Sequence, residues 1–225
     1  LNAAVAQQLI KFGEDVEALI EKKDMKKDDA IFNALRDNLK GIKNILFEGD
    51  GYSESWKKEA VKRGLSYSQN TPEALTAFIS KKSIELFEQT NVLSEREVKA
   101  RYIVDLKEYI MRIQIESRSL GDIARNFIIP TGIKYQNVLI QNVKGLKEIY
   151  GKDYKKFAGV QIKIIERISG HIEHINEGIF KMVETRKKLN GIDDEFHKAS
   201  SYCEKVLPFL SNIRYHCDKL ELVVD

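Results

Sequence analysis

EREVKARYIVDLKEYIMRIQIESRSLGDIARNFIIPTGIKYQNVLIQNVKGLKEI, residues 95–149, is the stretch around which the chain is organised. Leu106, Ile113, Leu120 and Phe127 recur at every seventh position, with Tyr102, Tyr109 and Ile123 in the adjoining row. Steps of three and four put these side chains on one stripe of a helix, which therefore has a face to bury. After Pro130 the period continues in Tyr135, Leu139, Asn142, Leu146 and Ile149. Unbroken, such a helix is a rod of roughly 80 Å. Pro130 removes one backbone bond and pushes Ile129 away from helical geometry. The apolar stripe resumes without a run of turn residues, so the spacing predicts one kinked helix rather than two separate ones.

A rod of this length needs long partners, and two follow it. Gly151-Lys152-Asp153 predicts a tight reversal into a helix over 153–189. Its stripe is Tyr154, Phe157, Gln161, Ile165, Ile168, Ile172, Ile175, Ile179, Met182 and Val183. Asn190-Gly191 ends it, and Asp193 or Asp194 starts the last helix, to 225. There Phe196, Ala199, Cys203, Val206, Leu210, Ile213, Cys217, Leu220 and Val224 alternate steps of three and four, with Pro208 one step off the stripe and expected to bend it. Three long helices joined by short turns make an antiparallel bundle.

Upstream, Val5, Leu9, Phe12, Val16, Leu19 and Ile20 define an amphipathic helix over 1–22. Asp28 or Asp29 is placed to cap a second one, with stripe Ile31, Leu35, Leu39, Ile42 and Leu46, so the pair forms a hairpin. Lys43–Phe47, the strongest candidate strand, reads better as a helix end. Ser53 caps a short helix stopped by Gly64, and Thr71-Pro72 reads as an N-cap followed by proline at the first helical position. Glu73–Phe78 and Lys81–Gln89 are further short helices, and Ser94 with Glu97 is a capping box opening the central helix. The expected fold is all-α: a long antiparallel bundle over 94–225, an N-terminal helical hairpin within 1–64, and an irregular short-helix connector over 65–93.

The chain has 225 residues, long enough to bury a core, with 43% apolar and 32% charged residues and only three prolines, which argues against a sandwich or barrel. Its 37 basic and 34 acidic groups nearly balance, which gives no support for a nucleic-acid partner. Lysine pairs such as Lys22–Lys23, Lys26–Lys27 and Lys155–Lys156 alternate with acids and read as solvated faces. Nothing resembles a signal peptide or a membrane span, so a reducing cytoplasm is the expected compartment. Cys203 and Cys217 fall on the apolar stripe about 20 Å apart along one helix, beyond disulfide reach, and read as buried thiols. The opening Leu1-Asn2-Ala3-Ala4, without methionine, is expected to be the middle of something larger.

Few residue patterns point to chemistry. Gly49-Asp50-Gly51-Tyr52-Ser53 lacks both a following Lys-Ser/Thr and enough oxygen ligands for a calcium loop, so it reads as a turn. His171 and His174 flank Glu173 in an order that is not the HExxH zinc arrangement, so surface or interhelical contacts are expected there rather than a metal. His197 and His216 stand alone, and no catalytic triad, GxGxxG or Walker pattern is present. Arg112, Gln114, Glu116, Arg118, Asp122, Arg125 and Asn126 form the densest polar belt. The heptad row puts Glu116 against the partner helices, with Arg112 as an available mate. That belt reads as a buried structural network, or else as a ligand site completed by a larger assembly. Asn137, Gln141, Asn142 and Asn176 read as polar register-setters.

Five stretches carry a resemblance beyond composition and spacing: LNAAVAQQL at 1–9, FEGDGYSESWKKEAVKRGL at 47–65, RIQIESRSLGDIARNFIIPTGIKYQNVLI at 112–140, ISGHIEHIN at 168–176 and YCEKVLPFLSNIRYHCDKLELVVD at 202–225. Together they resemble the C-terminal part of type III glutamine synthetase over nearly the whole chain. The resemblance implies a parent enzyme, a glutamate–ammonia ligase of nitrogen metabolism. That enzyme joins glutamate to ammonium with ATP through γ-glutamyl phosphate, with Mg2+ or Mn2+ as cofactor. It implies stacked rings of subunits and a catalytic region upstream of Leu1, with residues 1–64 completing that region, and a short tryptophan- and proline-containing tail downstream. None of the family's catalytic, nucleotide-binding or metal-binding motifs falls in these 225 residues, so no catalytic, cofactor or metal role is assigned to any position. The isolated chain is expected to be inactive and to serve structure or oligomerisation. The rival expectation is a self-standing helical interaction or regulatory module; an unpaired apolar patch on the first two helices would suit either.

Overall fold

The computed structural model describes residues 1–224, and among them every regular element is helical. The elements are α1 (Asn2–Lys23), α2 (Lys27–Gly41), α3 (Glu54–Lys62), α4 (Thr71–Thr76), α5 (Lys81–Gln89), α6 (Glu95–Ile123), α7 (Ile129–Tyr150), α8 (Tyr154–Asn190), α9 (Glu195–Lys205) and α10 (Leu207–Glu221). The expected extension of the last helix to 225 ends outside the described residues. Two compact units are present, one over Leu1–Val104 and one from Asp105 onward, the division falling within α6.

In the first unit α1 and α2 form the expected hairpin. α2 begins earlier than its aspartates suggest: Lys26 is the N-cap, while Asp28 and Asp29 sit in the first turn, where carboxylates suit the helix dipole. Lys43–Ile45 is a single 3-10 turn, not a strand. Around the glycine-rich loop, Phe47 stacks on Trp56 at 4.0 Å, and the Arg63 guanidinium lies over that indole while donating to the Leu46 carbonyl at 2.7 Å. Asp50 accepts from the Tyr52 N–H at 2.9 Å, and Ser53 caps α3 through the Trp56 N–H. GDGYS is thus a structural turn. The cap of α4 is Asn70 rather than Thr71, which moves Pro72 one position into the helix. Ser94 and Glu97 form the capping box of α6, the Ser94 N–H donating to the Glu97 carboxylate at 2.8 Å.

The second unit is the antiparallel bundle. Within it the rod is continuous from Asp105 to Tyr150, because a five-residue π turn, Ala124–Ile128, joins α6 to α7 ahead of Pro130. The Ile129 N–H reaches back five residues to the Ala124 carbonyl. α8 then returns along the rod in constant register, one residue back for each residue forward. Gln114 bonds Asn190, Gly121 lies under Ile179 and Met182, Gln136 bonds Ser169, Asn142 bonds Gln161, and Tyr150 stacks on Phe157 beside the turn. The last helix is broken, not merely bent: α9 stops at Lys205 and α10 starts at Leu207, with Val206 between them. Pro208 has no N–H to give the carbonyl four residues back, and this sets the break.

The core of this unit is Leu106, Ile110 and Ile113 on α6, Ile168, Ile175, Ile179 and Met182 on α8, and Tyr202, Val206, Ile213 and Leu220 from α9 onward. The seven-residue row predicted for the rod holds only at its start. The buried line on the rod runs through Leu106, Ile110, Ile113, Ser117, Gly121, Ala124 and Gly132, while Phe127 is 67% exposed. Small residues occupy the seam where large ones were expected, because α8 approaches too closely to admit them. A Cβ on Gly132 would meet Leu220 at 3.2 Å and Ile172 at 3.4 Å.

Candidate functional site

The polar belt on α6 divides. Gln114 turns inward, donating to the Tyr202 hydroxyl at 2.9 Å and to Asn190 at 2.9 Å, while the same hydroxyl donates to Asn190 at 2.6 Å. Tyr202 is fully buried, so this triangle satisfies a phenol that otherwise costs about 1–3 kcal/mol. Arg112, Glu116, Arg118, Asp122, Arg125 and Asn126 are instead exposed. Glu116 therefore does not face the partner helices, and Arg112 pairs with Glu108 one turn earlier. The heptad row misplaced Glu116 for the same reason that it misplaced Phe127. All four proposed register-setters, Asn137, Gln141, Asn142 and Asn176, are exposed, and of them Asn142 meets Gln161. Gln136 was not singled out, yet it bonds the Ile165 carbonyl and Ser169.

Two further polar sites are built between helices. Tyr109 packs against the Cys203 thiol, and burial, followed by that thiol, pushes its phenol well above the ordinary range. Cys203 is half-buried and Cys217 buried, and both are free. His216, isolated in sequence, joins His171 and His174 across the α8–α10 seam. Among the described residues no group of three His, Cys, Asp or Glu side chains is arranged to hold a metal ion. None of the helices there is long and apolar enough to cross a membrane.

The largest unexplained feature lies on the hairpin. Ala30 and Ala34 are the buried residues of α2. Phe32, Leu35, Leu39 and Ile42, at spacings of three and four, form one stripe and are 65, 48, 57 and 40% exposed. Ile45 and Leu46 extend it, and α1 adds exposed Val5, Leu9 and Ile10. The first unit buries almost no large side chain: its buried residues are alanines, Pro72, Val98 and Tyr102. This unit therefore carries an apolar face with no partner among the described residues.

A family model described as the glutamine synthetase C-terminal domain matches residues 30–147, a little over half of the chain. The chain belongs to that family. Similarity to whole relatives extends further. A glutamine synthetase from Bacteroides fragilis (strain YCH46) is 39% identical over 226 residues, covering all of this chain and 31% of the relative. A type-3 glutamine synthetase from Dictyostelium discoideum is 28% identical over 232 residues, covering all of this chain and 30% of the relative. A glutamine synthetase from Butyrivibrio fibrisolvens is 25% identical over 196 residues, 87% of this chain and 28% of the relative. The chain thus spans about three-tenths of the length of these curated relatives, and the C-terminal-domain match covers both the exposed stripe of α2 and most of the central rod.

Among the described residues no cluster of side chains is arranged for the divalent metal that the family implies. Carboxylates such as Glu95, Glu108 and Glu177 sit on outer helix faces, each paired with a Lys or Arg one turn away. Phosphoryl transfer needs cations and metal ligands converging on oxygens, whereas these carboxylates are each engaged by a neighbour on their own helix.

Proposed function

We propose that this chain is the structural and assembly part of a glutamine synthetase, contributing no catalytic group of its own. The parent enzyme would condense glutamate and ammonium with ATP, giving glutamine, ADP and phosphate, in a cytoplasmic oligomer of stacked rings. One observation carries this reading: the apolar stripe of α1 and α2 in a unit with almost no large buried side chain. A self-sufficient domain does not leave its main hydrophobic stripe in water. Covering that stripe adds on the order of 1 kcal/mol for each half-exposed Leu, Ile or Phe before ordering costs. Since the relatives are about three times longer than this chain, the preceding catalytic portion of the same polypeptide is the natural cover.

A separate protein could occupy the same stripe, which would make the chain a stand-alone interaction module. Family membership favours the intramolecular partner. The test is a coupled phosphate-release assay on the purified chain with glutamate, ammonium, ATP and magnesium. No turnover dependent on all three substrates is expected. Such turnover would place catalytic groups within these residues and end the proposal.

A further inference from the structure

The three histidines at the α8–α10 seam form a cluster that the scaffold role does not use. His171 Nδ1 and His216 Nδ1 are 3.0 Å apart, and the His174 ring stacks on His216 at 4.5 Å between centroids and 21° between planes. Tyr215 meets His216 edge-on at 5.2 Å. A contact between two imidazole nitrogens exists only if one carries a proton and the other a lone pair. It survives with both rings neutral, in complementary tautomers, and with one ring protonated. With both protonated, two N–H donors and two charges face each other, and the bond becomes a repulsion.

The surroundings add cations rather than relief. Arg167 from α8 and Lys219 from α10 bear on the pair. Glu177 is the carboxylate facing His174, and it is engaged by Lys181. Glu204 and Lys205 of α9 share a groove of about 450 Å³ with His174. α7 meets this level of the bundle through Gly132, against Ile172 and Leu220. We propose that His171 and His216 are a proton-sensitive clamp, which holds α10 on α8 while either ring is neutral and releases it when both are charged. Burial, then Arg167, His174 and Lys219, hold His171 below the ordinary histidine range; burial, then His174 and His171, do the same for His216. With folded values lowered, the unfolded chain takes up protons first as pH falls through about 6.5. The clamp's contribution is therefore present above that pH and lost on acidification below it.

The experiment follows the full chain with 15N-labelled histidine, measuring ring shifts and backbone amide exchange from pH 7.5 to 5.5, with exchange corrected for its intrinsic pH dependence. The pair should titrate in two steps that belong to both rings together, below the free-imidazole value. Protection of Leu207–Glu221 should fall relative to α8 as the pair takes up its second proton. His216→Asn, which still offers an amide donor to His171 but no second proton, should show a smaller pH-dependent loss, since burial and Arg167 still act on His171. Ordinary titration of both rings with α10 protection unchanged would overturn the proposal, whether or not the variant folds. So would an equal loss of protection in a folded His216→Asn.

Discussion

Gly178 on α8 has no room for a methyl group, since a Cβ there would lie 2.9 Å from Ile213 Cγ1, and Ile213 is itself fully buried. Gly178→Ala should destabilise the bundle by about 1–3 kcal/mol, as overpacking does. Gly145→Ala is the control: nothing lies within 4 Å of its Cβ on α7, so the better helix former should stabilise by about 0.5–1 kcal/mol. Urea denaturation of both variants reads the difference in sign. Tyr202→Phe removes the hydroxyl that accepts from Gln114 and donates to Asn190. Gln114 and Asn190 keep their own bond, so a cost of about 1 kcal/mol is expected by the same measurement. The capping residues Ser53, Ser94 and Asp194 were readable from sequence because a cap acts within four residues. The partners of Tyr202 and His216 were not. Each depends on a residue dozens of positions away, and nothing local marks which histidine or tyrosine the bundle will bring inside.

The rod shows how an element can be read correctly and its face wrongly. Helix, length and continuity past Pro130 were all legible in the apolar spacing. The buried line was not, because it runs in mixed steps through Ser117, Gly121, Ala124 and Gly132, and residues that small carry no hydrophobic signal. Over thirty residues a regular α-helix would turn Gln136 about 120° away from Leu106. The π turn takes back roughly 90° of that, and Gln136 accordingly bonds Ser169 on α8. Deleting the exposed Asn126 should convert the π turn to a regular turn and leave the downstream seam in place, with most of the melting temperature retained. Deleting the exposed Asn137 in α7 rotates the rest of that helix by about 100° off α8, and should abolish cooperative melting of the bundle. Thermal melts followed by circular dichroism distinguish the two. Equal tolerance of both deletions would mean that the π turn sets no register.

The two units differ in what they bury, and that contrast organises the molecule. From Asp105 onward there is a core of Leu, Ile, Met and Tyr; before it, alanines, Pro72, Val98 and Tyr102 are buried, and Phe32, Leu35 and Leu39 of the hairpin face water. The all-helical architecture and the hairpin were legible because local periodicity sets them. That the hairpin buries its alanines and exposes Phe32, Leu35 and Leu39 was not, since the choice of inner face depends on what else a helix must meet. The proposed cover for this exposed face is the rest of a glutamine synthetase. Phe32→Glu combined with Leu39→Glu tests it most directly, by comparing glutamine synthesis in the full-length enzyme with melting of the isolated chain. The isolated chain should melt as the unsubstituted chain does, within about 0.5 kcal/mol for surface changes, while the full-length enzyme loses most of its activity or its assembly. A full-length enzyme that keeps both, with two glutamates on that stripe, would contradict it.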